Sequence, residues 1–365
     1  LVYADELGFD GLVLNEHHQN IYGIMPSPNI VAAALTQNTK NARIVVLGDL
    51  LPLYLNPLRV AEEYAMLDNM SGGRMIAGFA VGGGPESFNY NVPSPQGRRR
   101  LWEAIDLITK AWTQDGPFEH EGPCYPLRYV NLWPRPFQQP HPPVWVPGSR
   151  SIESMVEVAR RGFCYFLSSR SHGKGAGGAA QQFAKVVENE GGNYHPFRMG
   201  VLISVYVAET DEQAREEADE GVFYFLHNCL KGHLRQTGRS LTFGPGVPSQ
   251  SIASWEAFLK NRRPGGKMLG DAESWDDIEA SGSITVGSPE TVRDRLLEFI
   301  QDSGVGNLLI QFHFGNMSDN LTRKSMRLFA EHVAPTLKEE SAKMFAKNYP
   351  ALADMDELEV TGASK

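Results

Sequence analysis

Short apolar segments alternate with longer amphipathic segments along most of the chain. The apolar segments are typical of strands that are covered on both faces, and they lie at Gly11–Leu14, Arg43–Leu47, Met75–Phe79, Val144–Val146, Cys164–Leu167, Val201–Val207 and Asn307–Phe312. The amphipathic segments predict helices at Pro57–Asn69, Arg98–Trp112, Ile152–Arg161, Asp211–Phe225 and Ser288–Gln301. This alternation predicts an α/β protein with a parallel sheet.

The number of strand candidates favours a closed barrel. An eighth strand before Leu1 would complete a (β/α)8 TIM barrel, a fold of ~250 residues, and would leave roughly a hundred residues for insertions. The chain opens on Leu1 rather than Met and directly in a helical pattern, so we expect the first barrel strand to be missing from this sequence. A doubly wound open sheet is the alternative.

Two segments interrupt the alternation. Residues 115–143 are rich in proline and aromatic residues and predict an extended packing loop. Residues 227–285 contain no clear strand before Val286, and they predict either an insertion that acts as a lid or a plain surface elaboration. We expect one domain over residues 1–340, followed by a C-terminal tail over 341–365.

The composition limits the function classes. A chain of 365 residues with 42% hydrophobic and 21% charged residues is typical of a globular protein. Its net charge of −9 argues against binding to nucleic acids or anionic membranes. Three widely spaced cysteines fit a reducing compartment and form no zinc pattern. Because no apolar run reaches the ~20 residues that span a bilayer, we expect a cytoplasmic protein.

The sequence Glu16-His17-His18 follows the first apolar segment. In α/β barrels and open sheets, active sites lie at the carboxyl ends of the strands. Histidine titrates near neutral pH, although it is also a common surface residue. The run Gly82-Gly83-Gly84-Pro85 follows a strand at the same predicted edge. The run does not match the dinucleotide-binding fingerprint, so an ordinary turn is the simpler interpretation.

A second candidate is Gly148-Ser149-Arg150-Ser151, which joins a predicted strand to a predicted helix. Backbone N–H groups at a helix N-terminus, two hydroxyls and a guanidinium together suit a phosphate. Ser151 could equally cap the helix without any ligand. Hydrolase and metalloenzyme motifs are absent from the sequence, so we expect no metal site.

Four segments together resemble the bacterial luciferase-like flavin-dependent monooxygenase family over nearly the whole chain. They are Ala4–Gly11 leading to Glu16-His17-His18, Pro57–Arg74, Val144–Gly162, and Gly287–Val292 with the later Gln311–Met317. The second segment is highly distinctive. The resemblance implies a (β/α)8 barrel that binds reduced FMN at the carboxyl ends of its strands and lets O2 add to the flavin.

The resemblance also implies roles for individual residues. His17 matches the active-site histidine, an acid–base group, and His18 would lie beside the substrate pocket in a supporting role. Leu47-Gly48 matches a non-prolyl cis peptide that supports the flavin ring. The remaining cofactor-binding positions would be Asn56 beside the flavin and, for its phosphate, Arg99, Gly148, Ser149, Arg150 and Ser151.

The chain departs from the light-emitting member at two positions. Ala80 and Val81 stand where the luciferase catalytic subunit has a reactive cysteine and an arginine. We therefore expect no light emission, and we expect Arg150 and Arg99 to supply the positive charge for the phosphate.

The resemblance implies a monooxygenase that takes reduced FMN from a separate reductase and oxygenates a small apolar substrate, such as an aldehyde, ketone, terpene or alkane. A deazaflavin-dependent oxidoreductase and a non-catalytic flavin-binding protein of the same family are the alternatives. The family further implies a homodimer that packs through helices near Ile30–Thr39 and Pro57–Asn69.

Overall fold

The computed structural model describes residues 1–82, 84–168, 173–230 and 272–354. The chain divides into two compact units. The histidine unit comprises Val13–Pro142 and His227–Asp271, and the turn unit comprises Leu1–Leu12, Pro143–Leu226 and Ala272–Lys365.

The elements up to residue 142 alternate between helix and strand and end in a small hairpin. In chain order they are α1 (Val2–Glu6), β1 (Gly11–Leu14), α2 (Pro28–Asn38), β2 (Arg43–Leu50), α3 (Leu58–Ser71), β3 (Met75–Ala80), α4 (Gly84–Asn89), α5 (Gly97–Thr113), β4 (Phe118–Glu121) and β5 (Pro126–Val130).

The remaining elements repeat the alternation in the turn unit. They are β6 (Val144–Gly148), α6 (Ile152–Arg160), β7 (Cys164–Leu167), α7 (Gly173–Asn189), β8 (Met199–Val207), α8 (Asp211–Tyr224), α9 (Trp275–Ser281), β9 (Ile284–Gly287), α10 (Pro289–Ser303), β10 (Asn307–Gln311), α11 (Asp319–Leu328) and α12 (Ala334–Asn348).

The sheet of the histidine unit has the order β1, β2, β3. Strands β2 and β3 run parallel, with Ile44 opposite Met75, and both are almost wholly buried. Helix α3 connects them and ends at Gly72, whose φ of 65° is left-handed and therefore favours glycine. This connection brings the carboxyl ends of β2 and β3 to the same edge.

The sheet of the turn unit has the order β6, β7, β8, β10, and β9 also pairs with β8. All of these pairs are parallel. Parallel strands joined by helices confirm the predicted α/β class in both units.

All seven predicted strands are present, with ends that differ by at most a few residues. The sequence missed β9, because its Ile-Thr-Val-Gly run is short and follows a Ser-Gly-Ser stretch. The predicted packing loop at 115–143 contains the antiparallel hairpin β4–β5. The glycine run after β3 enters helix α4 rather than a bare turn.

Most of the predicted insertion at 227–285 falls outside the described residues. Its described parts are a π-helical continuation of α8 at Phe225–Leu230, helix α9 and the start of β9. In the predicted tail, α12 continues to Asn348 and a 3-10 helix follows at Pro350–Asp354. The single-domain assignment stays a prediction.

Candidate active site

His17 is held by a buried carboxylate. It follows the end of β1, and its Nδ1 lies 3.0 Å from Oε1 of Glu86 in the first turn of α4. The Glu86 side chain is fully buried, whereas 23% of the His17 side chain is exposed. Tyr22 packs edge-on against the imidazole, with the ring centroids 4.7 Å apart. A Cβ on Gly23 would lie 2.6 Å from the Cβ of His17, so a glycine is needed beneath the ring.

The contact with Glu86 determines the tautomer of a neutral His17 ring. An ionised carboxylate only accepts hydrogen bonds, so Nδ1 donates and the neutral ring carries its lone pair on Nε2. In this tautomer Nε2 is the nitrogen of the ring that can accept a hydrogen bond or a proton.

His18 is more buried than His17, and both of its ring nitrogens have partners. Nε2 lies 2.6 Å from Oε1 of Glu16, and Nδ1 lies 2.9 Å from the hydroxyl of Tyr90. The other oxygen of Glu16 accepts a hydrogen bond of 2.7 Å from the backbone N–H of Leu50. Glu16 thus ties the end of β1 to the end of β2.

The peptide bond between Leu47 and Gly48 is cis, as the family resemblance implies. A Cβ on Gly48 would lie 2.6 Å from the backbone carbon of Gly78 on β3, and a Cβ on Gly78 would lie 2.0 Å from the carbonyl oxygen of Val46. Only glycine allows the two strands to approach this closely.

Asp49 follows the cis peptide and is fully buried. Its Oδ2 accepts a hydrogen bond of 3.1 Å from the amide of Asn29, which also donates to Glu63 at 2.9 Å. Burial raises the pKa of Asp49 well above its ordinary value, and the nearby negative charge of Glu16 raises it further. No pattern in the sequence singles out Asp49.

Asn56 and Arg99 are exposed. The side-chain oxygen of Asn56 accepts a hydrogen bond of 3.0 Å from the N–H of Leu58, the first residue of α3. Arg100, next to Arg99, donates to the carbonyl oxygens of Pro52 and Tyr54 and is held in place by them. Arg99 lies on the outer face of α5 and is accessible to an anion.

In the turn unit, the predicted phosphate turn begins at the last residue of β6. Arg150 has a φ of 71°, and its N–H donates to the hydroxyl of Tyr165 at 2.8 Å. Its guanidinium donates to the carbonyl oxygen of Gly175 at 2.8 Å. A Cβ on Gly148 would lie 2.5 Å from the same tyrosine hydroxyl, so the turn requires glycine there.

Ser151 caps helix α6. Its hydroxyl accepts a hydrogen bond of 3.4 Å from the N–H of Ser154 and donates to Glu153 at 2.5 Å. Both hydroxyl functions are therefore used within the helix start, while Ser149 is exposed. The capping role that the sequence left open is the one that the structure describes.

The structure brings six of the predicted site residues into the histidine unit, namely His17, His18, Leu47, Gly48, Asn56 and Arg99. The turn residues Gly148, Ser149, Arg150 and Ser151 belong to the turn unit. Sequence reasoning missed the partners Glu86, Tyr90 and Asp49. The sequence signal for Glu86 was an acidic residue shortly after the glycine run. Because the run was interpreted as an ordinary turn, Glu86 was not predicted to be a site residue.

Over the described ranges 1–82, 84–168, 173–230 and 272–354, no group of three or more His, Cys, Asp and Glu side chains could hold a metal ion. In the same ranges no helix is both long and apolar enough to cross a membrane.

Comparisons with known proteins agree with these observations. The sequence model of the family described as luciferase-like monooxygenase matches residues 1–307. The oxygenase component of a flavin-dependent trigonelline monooxygenase from Acinetobacter baylyi is 30% identical over 283 residues, which is 74% of this chain and 74% of that protein. An alkanal monooxygenase alpha chain from Photobacterium leiognathi is 25% identical and covers 93% of this chain and 92% of its own length.

Among solved structures, the oxygenating constituent of 3,6-diketocamphane monooxygenase from Pseudomonas putida, in complex with FMN, is similar with a TM-score of 0.72. It is 22% identical, and the match covers 92% of this chain and 90% of that chain. The likeness confirms the predicted α/β barrel type of fold.

Proposed function

The chain belongs to the luciferase-like monooxygenase family, and from that premise we propose that it is the oxygenase component of a two-component flavin-dependent monooxygenase. It would bind reduced FMN delivered by a separate reductase and use O2 to oxygenate a small apolar organic substrate. The oxygenase relative that acts on trigonelline is flavin-dependent by its name.

One observation carries the proposal: a partly exposed imidazole is oriented by a fully buried carboxylate. The 3.0 Å contact between His17 Nδ1 and Glu86 leaves Nε2 as the basic nitrogen. A protein that only stores a flavin has no need for a group that is oriented to move a proton. This arrangement therefore favours an enzyme over a non-catalytic flavin-binding protein.

The residues present fit a flavin phosphate in their donor chemistry. The turn offers an exposed hydroxyl on Ser149 and a guanidinium on Arg150 at the N-terminus of α6, a combination that suits anions. Arg99 is a further cation on the surface of the histidine unit. When bound, the reduced flavin supplies the two electrons that activate O2.

The residue roles are proposed as follows. His17 holds and moves a proton at Nε2, and Glu86 keeps its ring in one orientation. Leu47 and Gly48 present the flat cis peptide to the flavin ring, with Asn56 as a further pocket residue and His18 in a supporting role near the substrate. Phosphate binding is proposed for the turn Gly148-Ser149-Arg150-Ser151 of the turn unit, in which Ser151 caps α6, and separately for Arg99 of the histidine unit.

The proposed homodimer rests on exposed apolar side chains. On α2 and α3 of the histidine unit, Ile30, Met66 and Met70 are 73%, 50% and 45% exposed. Exposed apolar side chains on neighbouring helices are typical of a surface that binds another protein chain. We propose that a second copy of the chain covers this apolar surface. We also propose that the protein acts in the cytoplasm.

The test combines flavin binding with turnover. The purified protein is mixed anaerobically with reduced FMN or reduced deazaflavin, and binding is followed by absorbance. O2 uptake is then measured with a flavin reductase and a panel of aldehydes, ketones, terpenes and alkanes.

Two variants test His17. His17→Asn keeps a side-chain N–H near the position of Nδ1, where it can donate to Glu86, but removes Nε2, and His17→Ala removes both nitrogens. We expect His17→Asn to retain FMN binding and to lose substrate-dependent O2 uptake by about 10²-fold or more.

His332 offers a matched control, because it is a 55% exposed histidine beside Glu331. His332→Asn should match the wild type in every assay. Binding of deazaflavin but not of reduced FMN would refute the monooxygenase proposal, and binding of neither would refute both flavin functions. Flavin binding without turnover on any substrate, unchanged in His17→Asn, would support a storage protein instead.

A further inference from the structure

Two carboxyl groups lie together at the ends of β1 and β2 in the histidine unit. Glu16 is 4% exposed and Asp49 is fully buried. The Oε2 atom of Glu16 accepts from the N–H of Leu50, the residue that follows Asp49. Within the described part of the chain, the Oδ1 atom of Asp49 and the Oδ1 atom of Asn29 are both buried without a hydrogen-bond partner.

The surroundings of Asp49 are negative or neutral. Glu16 faces it from the segment after β1, and Glu63 faces it from α3. The hydroxyls of Tyr54, after β2, and of Tyr64, on α3, are also nearby. Glu63 is paired with Arg59 on the outside of α3, with the Arg59 Nε atom 2.7 Å from a Glu63 oxygen.

Two neighbouring buried carboxyl groups cannot both be ionised without a large free-energy cost. A proton on Oδ1 of Asp49 removes that cost and converts an unpartnered acceptor into a donor. Burial, the largest cause, and the charge of Glu16 both raise the pKa of Asp49, which favours the protonated form of this side chain.

The pair is connected to the surface by a short chain of hydrogen bonds. Glu16 Oε1 contacts His18 Nε2 at 2.6 Å, and His18 Nδ1 contacts the Tyr90 hydroxyl at 2.9 Å. Tyr90 is 45% exposed. Because a carboxylate only accepts, Nε2 of the neutral imidazole donates to Glu16, so Tyr90 donates to Nδ1.

We propose that Asp49 and Glu16 share one proton and that His18 and Tyr90 connect this proton to solvent, which makes the four side chains a proton reservoir for the oxygenation proposed above. In a monooxygenase reaction one oxygen atom enters the substrate and the other leaves as water, with electrons from the reduced flavin. With the flavin bound as its reduced anion, substrate, O2, FMNH− and one proton would give the oxygenated substrate, oxidised FMN and water, so each turnover would draw one proton from the protein. The inference therefore rests on the proposed function.

Resupply of the pair is balanced. Tyr90 passes its hydroxyl proton to Nδ1 of His18, the Nε2 proton passes to Glu16, and the tyrosine oxygen takes a proton from water, which leaves a hydroxide ion in the solvent. One proton moves inwards and no electron is transferred. His18 is then a positioning and relay residue.

The first experiment needs neither flavin nor turnover. Infrared spectroscopy of the flavin-free protein should show the carbonyl stretch of a protonated carboxyl group near pH 7. Asp49→Asn, which keeps the shape of the side chain and can donate a hydrogen bond, should abolish that band. Glu16→Gln should shift it, because the shared partner is lost. Circular dichroism verifies that each variant is folded.

The second experiment tests the connection to solvent. In D2O the carboxyl band should shift by isotope exchange, and Tyr90→Phe should slow this exchange by about tenfold or more. Tyr129→Phe is the matched control, since Tyr129 is 68% exposed and lies on β5. In the reduced-FMN assay, Tyr90→Phe and Asp49→Asn should each lower kcat by about tenfold and increase the solvent isotope effect, with FMN affinity unchanged.

Absence of the band, or a band that survives in Asp49→Asn, would overturn the shared proton. Equal exchange rates in Tyr90→Phe and wild type would overturn the connection to solvent. Since the infrared measurements use flavin-free protein, these failures are distinct from a failure of the monooxygenase assay, which would refute the proposed function and leave the infrared result standing.

Discussion

Glu86→Gln perturbs the contact on which the proposed chemistry depends. The substitution preserves the size of a side chain that is fully buried and removes its charge. Glutamine can turn its amide N–H towards His17 Nδ1, which would move the imidazole proton to Nε2 and block that nitrogen as a base. The imidazolium would also lose the carboxylate that stabilises it.

The magnitude follows from the 3.0 Å contact between the His17 Nδ1 and Glu86 Oε1 atoms. A hydrogen bond to a charged group contributes about 1.5–3 kcal/mol. If this contribution is lost from the transition state alone, kcat falls by about 10- to 150-fold, because each 1.36 kcal/mol corresponds to a factor of ten. FMN affinity should change less than about twofold, since the contact is made by the protein with itself.

The assay is the pH profile of kcat for substrate-dependent O2 uptake, combined with anaerobic titration by reduced FMN. In Glu86→Gln, kcat should be lowered across the profile, because the amide can hold the imidazole in the tautomer that carries its proton on Nε2. Glu86→Asp should restore part of the activity. Glu331→Gln, at the exposed pair with His332, is the control.

An unchanged kcat and pH profile in a folded Glu86→Gln protein would refute the role of Glu86. A parallel loss of FMN binding and kcat would mean that the residue supports the pocket as a whole rather than orienting His17.

Four further outcomes follow from particular contacts. Burial and the neighbouring Arg198 lower the pKa of His195 to about 4. The free energy of unfolding, measured with urea, should therefore fall by about 3 kcal/mol as pH falls from 6.5 to 4, because the unfolded chain binds the proton more tightly. The free energy of unfolding of His195→Asn should fall less over the same range. The raised pKa of Asp49 means that the folded chain holds its proton more tightly than the unfolded chain; stability should therefore fall as pH rises above the ordinary aspartate range, and Asp49→Asn should flatten this decline. Gly48→Ala, with a Cβ 2.6 Å from backbone atoms of β3, should lower the free energy of unfolding by about 1–3 kcal/mol or more. Met66→Glu should shift the protein from dimer to monomer in analytical ultracentrifugation, and an unchanged dimer would place the interface elsewhere.

The strand positions could be predicted because buried parallel strands are nearly continuous apolar runs between helices. The run Cys164–Leu167 is an example, since its predicted and observed bounds are the same. Strand β9 was missed because its Ile-Thr-Val-Gly run contains a polar residue and follows a Ser-Gly-Ser stretch that is typical of a loop.

The sequence indicated individual site residues but not the side chains that contact them. His17 could be found because a histidine after a strand end lies where active sites form. Its partner Glu86 is 69 residues away, and no local pattern links two residues at that distance. Asp49 could not be predicted as a site residue for the same reason. Its raised pKa comes from burial and from the nearby Glu16, which are properties of the fold rather than of the neighbouring sequence.

The central claim is that His17 handles a proton beside a reduced flavin that reacts with O2. The most direct measurement is rapid mixing of the protein–reduced FMN complex with O2, followed by absorbance across a range of pH, for wild type and His17→Asn. We predict that both proteins bind reduced FMN and that the pH dependence of flavin reoxidation seen in the wild type is absent in His17→Asn. Identical pH dependence in the two proteins, or no binding of reduced FMN by the wild type, would contradict the claim.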